Sequence, residues 1–114
     1  MKAKILADIK KAEKLGLKVQ GGSFGSQLGM CCCPMTAVAL AAVSPDKLCY
    51  VDGNRFRESL VLPAVYKRLG VDEPLVLGFI HGFDSLKRTA ASTKATYKAG
   101  FALGREIRKE RDKS

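Results

Sequence analysis

The chain has no tryptophan and a single histidine, His81, and only 7% of its residues are aromatic. None of the aromatics is interleaved with basic residues, which argues against the stacking platform of a single-strand binder. No apolar run approaches the ~18 residues that span a bilayer. The longest, residues 35–43, is mostly Ala and Val and ends at Ser44-Pro45. Asp8, Lys10, Lys11 and Glu13 interrupt the stretch where the apolar core of a secretory signal would lie, so a cytoplasmic location is expected. A Cys-x-x-Cys pair is missing, and with it a thioredoxin-like couple. The Gly-rich stretch lacks the Gly-Lys-Ser/Thr ending of a phosphate loop, and no dinucleotide fingerprint follows a convincing strand. Helix-turn-helix, RNP-type and zinc-finger patterns are absent too. At 114 residues the chain is short for a multidomain enzyme, and a single domain covering residues 1–114 is expected. A domain of this size buries roughly two-thirds of its unfolded surface, enough for one modest core.

What is present reads as mostly α-helix. Ile5, Leu6, Ile9, Ala12 and Leu15 recur at helical spacing, predicting a helix over residues 3–15 that Gly16 and Leu17 end in a Schellman-like turn. Residues 17–20 suit a short strand. Residues 20–33, with Gly21, Gly22, Gly25 and Gly29, read as a loop. Pro34 opens a second, alanine-rich helix to Val43. Asp52-Gly53 suggests one small β-hairpin near residues 48–57, with a helix over residues 54–62 as the alternative. Pro63 should end that helix or begin the next, which Gly70 stops. Asp72 or Glu73 caps a further helix, with Pro74 in its first turn, and a last helix is predicted over residues 91–111. The expectation is about five short helices with a Gly/Cys-rich loop.

Two segments echo each other. Gly78-Phe79-Ile80-His81-Gly82-Phe83-Asp84 and Gly100-Phe101-Ala102-Leu103-Gly104-Arg105-Glu106 both read Gly-Phe-x-x-Gly-x-acid. Glycine within a helix costs up to ~1 kcal/mol relative to alanine, so paired glycines one turn apart call for a reason. Small residues at that spacing let another backbone approach closely. The expectation is that these two helices cross at Gly78, Gly82, Gly100 and Gly104, with Phe79 and Phe101 around the crossing. The same glycines give a self-associating structural protein as one functional alternative.

Charge is unevenly spread. Twenty Lys and Arg oppose eleven Asp and Glu, a net +9. Residues 1–18 and 87–114 hold +10 of it, while the 68 residues between sum to −1. On the last helix Lys94, Lys98, Arg105 and Lys109 fall along one stripe flanked by Arg108, and Lys4, Lys11 and Lys14 cluster on the first helix. Such stripes suit a phosphate backbone or an acidic protein surface. A membrane is not expected as a partner, because an interfacial helix needs bulkier apolar residues than the Ala and Gly found here. The leading reading is therefore a small, non-catalytic binding module that contacts nucleic acid or an acidic protein.

The chemically unusual segment is Cys31-Cys32-Cys33-Pro34. Cys33 falls at the predicted start of the second helix, where the helix dipole favours a thiolate. Gln27 and the glycines before it could donate to an anion, and His81 is the only imidazole available as a base. A thiol-dependent enzyme or thiol sensor is the runner-up. Free cysteine is, however, among the most buried residue types, and the inert-core reading is the simpler one. Cys31, Cys33, Cys49 and His81 are the only metal-ligand candidates. Adjacent cysteines seldom share one tetrahedral ion, so neither a metal nor any other cofactor is expected.

Overall fold

A computed structural model describes residues 1–84 and 94–113. The described residues are mostly α-helical, with five α-helices and a small three-stranded sheet. It divides into two compact units, the first ending at Gly70 and the second beginning at Val71.

In the first unit, α1 (Lys2–Lys14) buries Ile5, Ile9 and Ala12 on one face. Gly16, at φ +94°, ends it as the sequence predicts. Leu17 N–H reaches back to Ala12 C=O (3.2 Å) and Gly16 N–H to Glu13 C=O (3.0 Å), the two bonds of a Schellman turn. The sheet follows: β1 (Lys18–Val19), β2 (Gly25–Ser26) and β3 (Cys31–Cys32), ordered β1-β3-β2. β1 runs parallel to β3 in the register Lys18 to Cys31, and β2 antiparallel to it in the register Ser26 to Cys31. The loop expected over residues 20–33 is thus partly strand. Gly25 makes this possible: at φ +100° it adopts a conformation that side chains resist, and an added Cβ would lie closer than 3.0 Å to the Cys31 carbonyl. Phe56 N–H bonds Gly25 C=O (2.9 Å), and isolated bridges join Ser26 to Arg55 and Cys49 to Phe56. The small hairpin read at residues 48–57 therefore continues the sheet beyond β2.

α2 (Pro34–Leu40) is buried along nearly its whole length, as its alanines suggest, but ends earlier than Val43. A 3₁₀ turn (Pro45–Leu48) follows. α3 (Glu58–Leu69) corrects the sequence reading, because it runs unbroken through Pro63. The proline is exposed and forfeits one backbone bond, while Val61 and Val65, fully buried on either side, hold the helix in place. Gly70, left-handed at φ 66°, stops it as expected. α1 and α3 are tied by the buried Asp8, which takes two parallel 2.9 Å hydrogen bonds from Arg68 Nε and Nη2.

The second unit is a helical hairpin. α4 (Glu73–Phe83) is capped by Asp72, whose carboxylate accepts from Leu75 N–H at 3.3 Å. α5 (Ala95–Asp112) starts later than the predicted Ala91; residues 91–93 lie outside the described residues. The expected crossing is present. A Cβ added at Gly78, Gly82, Gly100 or Gly104 would come closer than 3.0 Å to a backbone carbonyl of the facing helix, at Tyr97, Phe101, Leu75 and Phe79 respectively. Phe79 and Phe101 are buried beside it.

Two stability predictions follow from these contacts. Arg68→Met leaves the buried Asp8 carboxylate unpaired and should cost about 3 kcal/mol in urea unfolding, whereas Asp8→Leu with Arg68→Met should recover most of that loss. Gly82→Ala should destabilise by about 2 kcal/mol despite alanine's better helix propensity, because its Cβ has no room against Phe101; an unchanged unfolding midpoint would contradict so close a crossing.

Candidate nucleic-acid interface

The outer face of α5 carries the basic stripe. With Tyr97, Gly100, Phe101, Gly104 and Ile107 buried, helical periodicity directs Lys98, Arg105 and Lys109 outward, and all three are exposed, as is the N-cap residue Lys94. At 100° per residue the four lie within one narrow sector, and at 1.5 Å rise they extend along about 22 Å of helix. Among the described residues no side chain of the four forms a hydrogen bond or ion pair. Glu106 and Glu110 fall on an adjoining sector. No acidic residue sits in the first turn of α5, and no side chain among the described residues caps it. Lys94 and Lys98 thus stand at the positive end of the helix dipole, where cations are disfavoured.

Arg108 departs from the stripe. Its Nη1 donates to Phe83 C=O (2.9 Å), its Nε to Asp112 (3.3 Å), and its guanidinium lies 5.5 Å from the Phe83 ring centre. It serves the end of α4. Lys4 is similarly engaged, donating to Arg68 C=O (3.1 Å) in the last turn of α3. Lys11 and Lys14 are exposed on α1. Of the eight basic residues read as binding candidates, six therefore have their charge directed to solvent.

The cysteine segment is largely buried and internally hydrogen-bonded. All four cysteines are free thiols; Cys32, Cys33 and Cys49 are buried, and Cys31 is half-buried. Cys33 is the N-cap of α2, its Sγ accepting from Thr36 N–H at 3.4 Å. Thr36 gives its only hydroxyl hydrogen to Phe24 C=O (2.8 Å). The 3.4 Å contact between Cys33 Sγ and Thr36 Oγ1 is then a bond from S–H to oxygen, which a neutral thiol satisfies. Gln27 spends its amide elsewhere, donating to Gly53 C=O (2.7 Å) and toward Cys49 Sγ (3.6 Å). His81 belongs to the second unit, where its Nδ1 lies 2.6 Å from the hydroxyl of the fully buried Tyr97. Among the described residues no three of His, Cys, Asp or Glu gather as a metal site; Cys31, Cys33, Cys49 and His81 make no such set. The four glycines read as a possible self-association surface face one another within the chain, so a homo-oligomer built on Gly78, Gly82, Gly100 and Gly104 would have to open the α4–α5 hairpin.

Periodicity places Leu15 on the apolar stripe of α1, but it lies beyond the end of that helix and is exposed, one of a group that the sequence candidates do not include. Leu15, Leu28, Met30, Tyr50 and Val51 are large apolar residues exposed on turns. The signal was available: aliphatic side chains stand inside glycine-bearing turns, where polar residues are the rule.

Thiol accessibility gives a direct check on the cysteine segment. Alkylation of the native protein should modify Cys31 first and the other three only as fast as the fold opens, read by mass spectrometry of peptides; rapid labelling of Cys33 would restore it as a reactive thiol.

No family model matches the chain, and no curated protein or solved structure matches it either.

Proposed function

We propose that the protein is a small, non-catalytic cytoplasmic module that binds nucleic acid through the basic face of α5. The observation that carries this reading is the row formed by Lys94, Lys98, Arg105 and Lys109, four exposed cations in one sector of an 18-residue helix. Cations at the amino end of a helix lower its own stability, and a phosphate placed there gains from both the side chains and the free N–H groups. The row has no aromatic residue in it, so contacts fall on the backbone and sequence preference is weak. Four free thiols are in keeping with a reducing compartment. Lys11 and Lys14 offer a second, smaller cationic face on α1.

The test is a salt titration on duplex DNA or RNA of several unrelated sequences. Four phosphate contacts give a slope of log K against log salt of about −3.6, alike for all sequences. Replacing Lys98, Arg105 or Lys109 singly with glutamine should shallow that slope by about one unit each, with folding unchanged. A flat salt response overturns the proposal. Equal affinity and slope on polyglutamate would instead assign the row to an acidic protein surface.

A further inference from the structure

The five turn residues lie at one end of one sheet. β2 and β3 are antiparallel and joined by residues 27–30, so this turn lies at the Ser26–Cys31 end. β1 is parallel to β3 with Lys18 beside Cys31, which brings the preceding α1–β1 turn to the same end. Met30 lies against that turn, its Cε 2.9 Å from where a Cβ of Gly16 would be. Arg55 pairs with Ser26, so the turn over residues 50–54 lies there too. Three neighbouring turns thus present Leu15, Leu28, Met30, Tyr50 and Val51 together, five of the six large apolar residues exposed among the described residues. Leu28 is 85% exposed and Val51 fully so.

The turns are prepared for covering. Gln27 N–H bonds Asn54 C=O (2.9 Å), Gln27 Nε2 bonds Gly53 C=O (2.7 Å), and Leu28 N–H bonds Asn54 Oδ1 (2.9 Å). Within the turns Met30 N–H reaches Gln27 C=O (3.1 Å) and Gly53 N–H reaches Tyr50 C=O (2.9 Å). Polar backbone already bonded internally loses little when water is removed from around it. The flanking charge is net basic: Lys14, Lys18 and Arg55 are exposed beside a single exposed acid at the α1–β1 turn, Glu13, while Asp52 is paired with Arg57 at 2.9 Å. The Arg57 guanidinium also lies 5.6 Å from the centre of the Tyr50 ring, and the Tyr50 hydroxyl is bonded to Ser59. An amphipathic ring beside basic groups and projecting aliphatic tips is the chemistry of a bilayer's interfacial zone.

We propose that this end of the first unit docks on an anionic lipid surface, seating Leu28 and Val51 below the headgroups while Lys14, Lys18 and Arg55 meet the lipid phosphates. The helices lack the apolar bulk of an interfacial segment; the bulk is on turns. No helix of the described residues is long and apolar enough to cross a membrane, so this is attachment and not insertion through the bilayer. A second copy is the less suited occupant, because it would bring two basic rims face to face. The site is in the other unit from the α5 row and stands independently of the nucleic-acid reading.

The test is cosedimentation of the full chain with phosphatidylcholine vesicles, with and without phosphatidylserine. Binding should require phosphatidylserine. Leu28→Ser and Val51→Ser should each weaken it about tenfold, and Lys18→Gln or Arg55→Gln about fivefold. Since the chain has no tryptophan, Val51→Trp provides a single reporter whose emission should shift to the blue on these vesicles. Absence of binding, or an unshifted reporter, overturns the proposal. So does binding that survives Leu28→Ser/Val51→Ser but is lost in Lys98→Gln/Arg105→Gln, which would trace it to α5 charge alone. A dimer in solution that Leu28→Ser/Val51→Ser dissolves would likewise overturn it, assigning the rim to a second copy.

Discussion

Close backbone approach between α4 and α5 is the constraint that organises the second unit. Each of the four glycines faces a carbonyl of the opposite helix at a distance that excludes even a methyl group. Two helices so near each other must bury whichever residues flank the contact, here Phe79, Phe83, Tyr97 and Phe101. Once those positions are committed inward, the 3.6-residue period leaves no freedom for the rest of α5. The basic row is exposed because the glycines are buried. The crossing also explains why Arg108 leaves the row, since it is close enough to α4 to satisfy the last carbonyl of Phe83.

The first unit solves a different problem. Its strands are two residues long, too short to specify their own register by alternation. Register is supplied instead by Gly25, which lets the Cys31 carbonyl approach, and by Gln27 and Asn54, which lace two turns together. The cysteines contribute by being small and apolar in tight places, with Cys33 also capping α2. Its Sγ accepts the Thr36 N–H at the start of that helix.

What was legible in the sequence was whatever is decided within a few residues. The Schellman end of α1, the Asp72 cap, the left-handed Gly70 and the glycine spacing of the crossing each have their cause and effect close together in the chain. β1 lies within the strand read at residues 17–20, but β2, β3 and their pairing were not legible, because Gly25 matters only through residues that return to it later. Pro63 misled for a related reason: the local rule against proline in a helix is real, but Val61 and Val65 are held by partners elsewhere. At the site, periodicity gave the exposure of Lys98, Arg105 and Lys109 correctly. It could not show that Lys4 and Arg108 end on carbonyls of other helices, nor that three separate turns share one end of a sheet.

The Asp8–Arg68 pair has a temporal side as well. Sixty residues separate the carboxylate from its guanidinium. A growing chain therefore presents α1 complete, with its core-facing stripe interrupted by an acid, long before the partner that neutralises it exists. Packing α1 in that interval would bury an unpaired charge. The native packing of α1 therefore depends on a contact distant in sequence, whereas the α4–α5 hairpin is built from contacts between consecutive helices. The pair thus closes a loop of sixty residues, whereas the glycine crossing closes only the short connection between two consecutive helices.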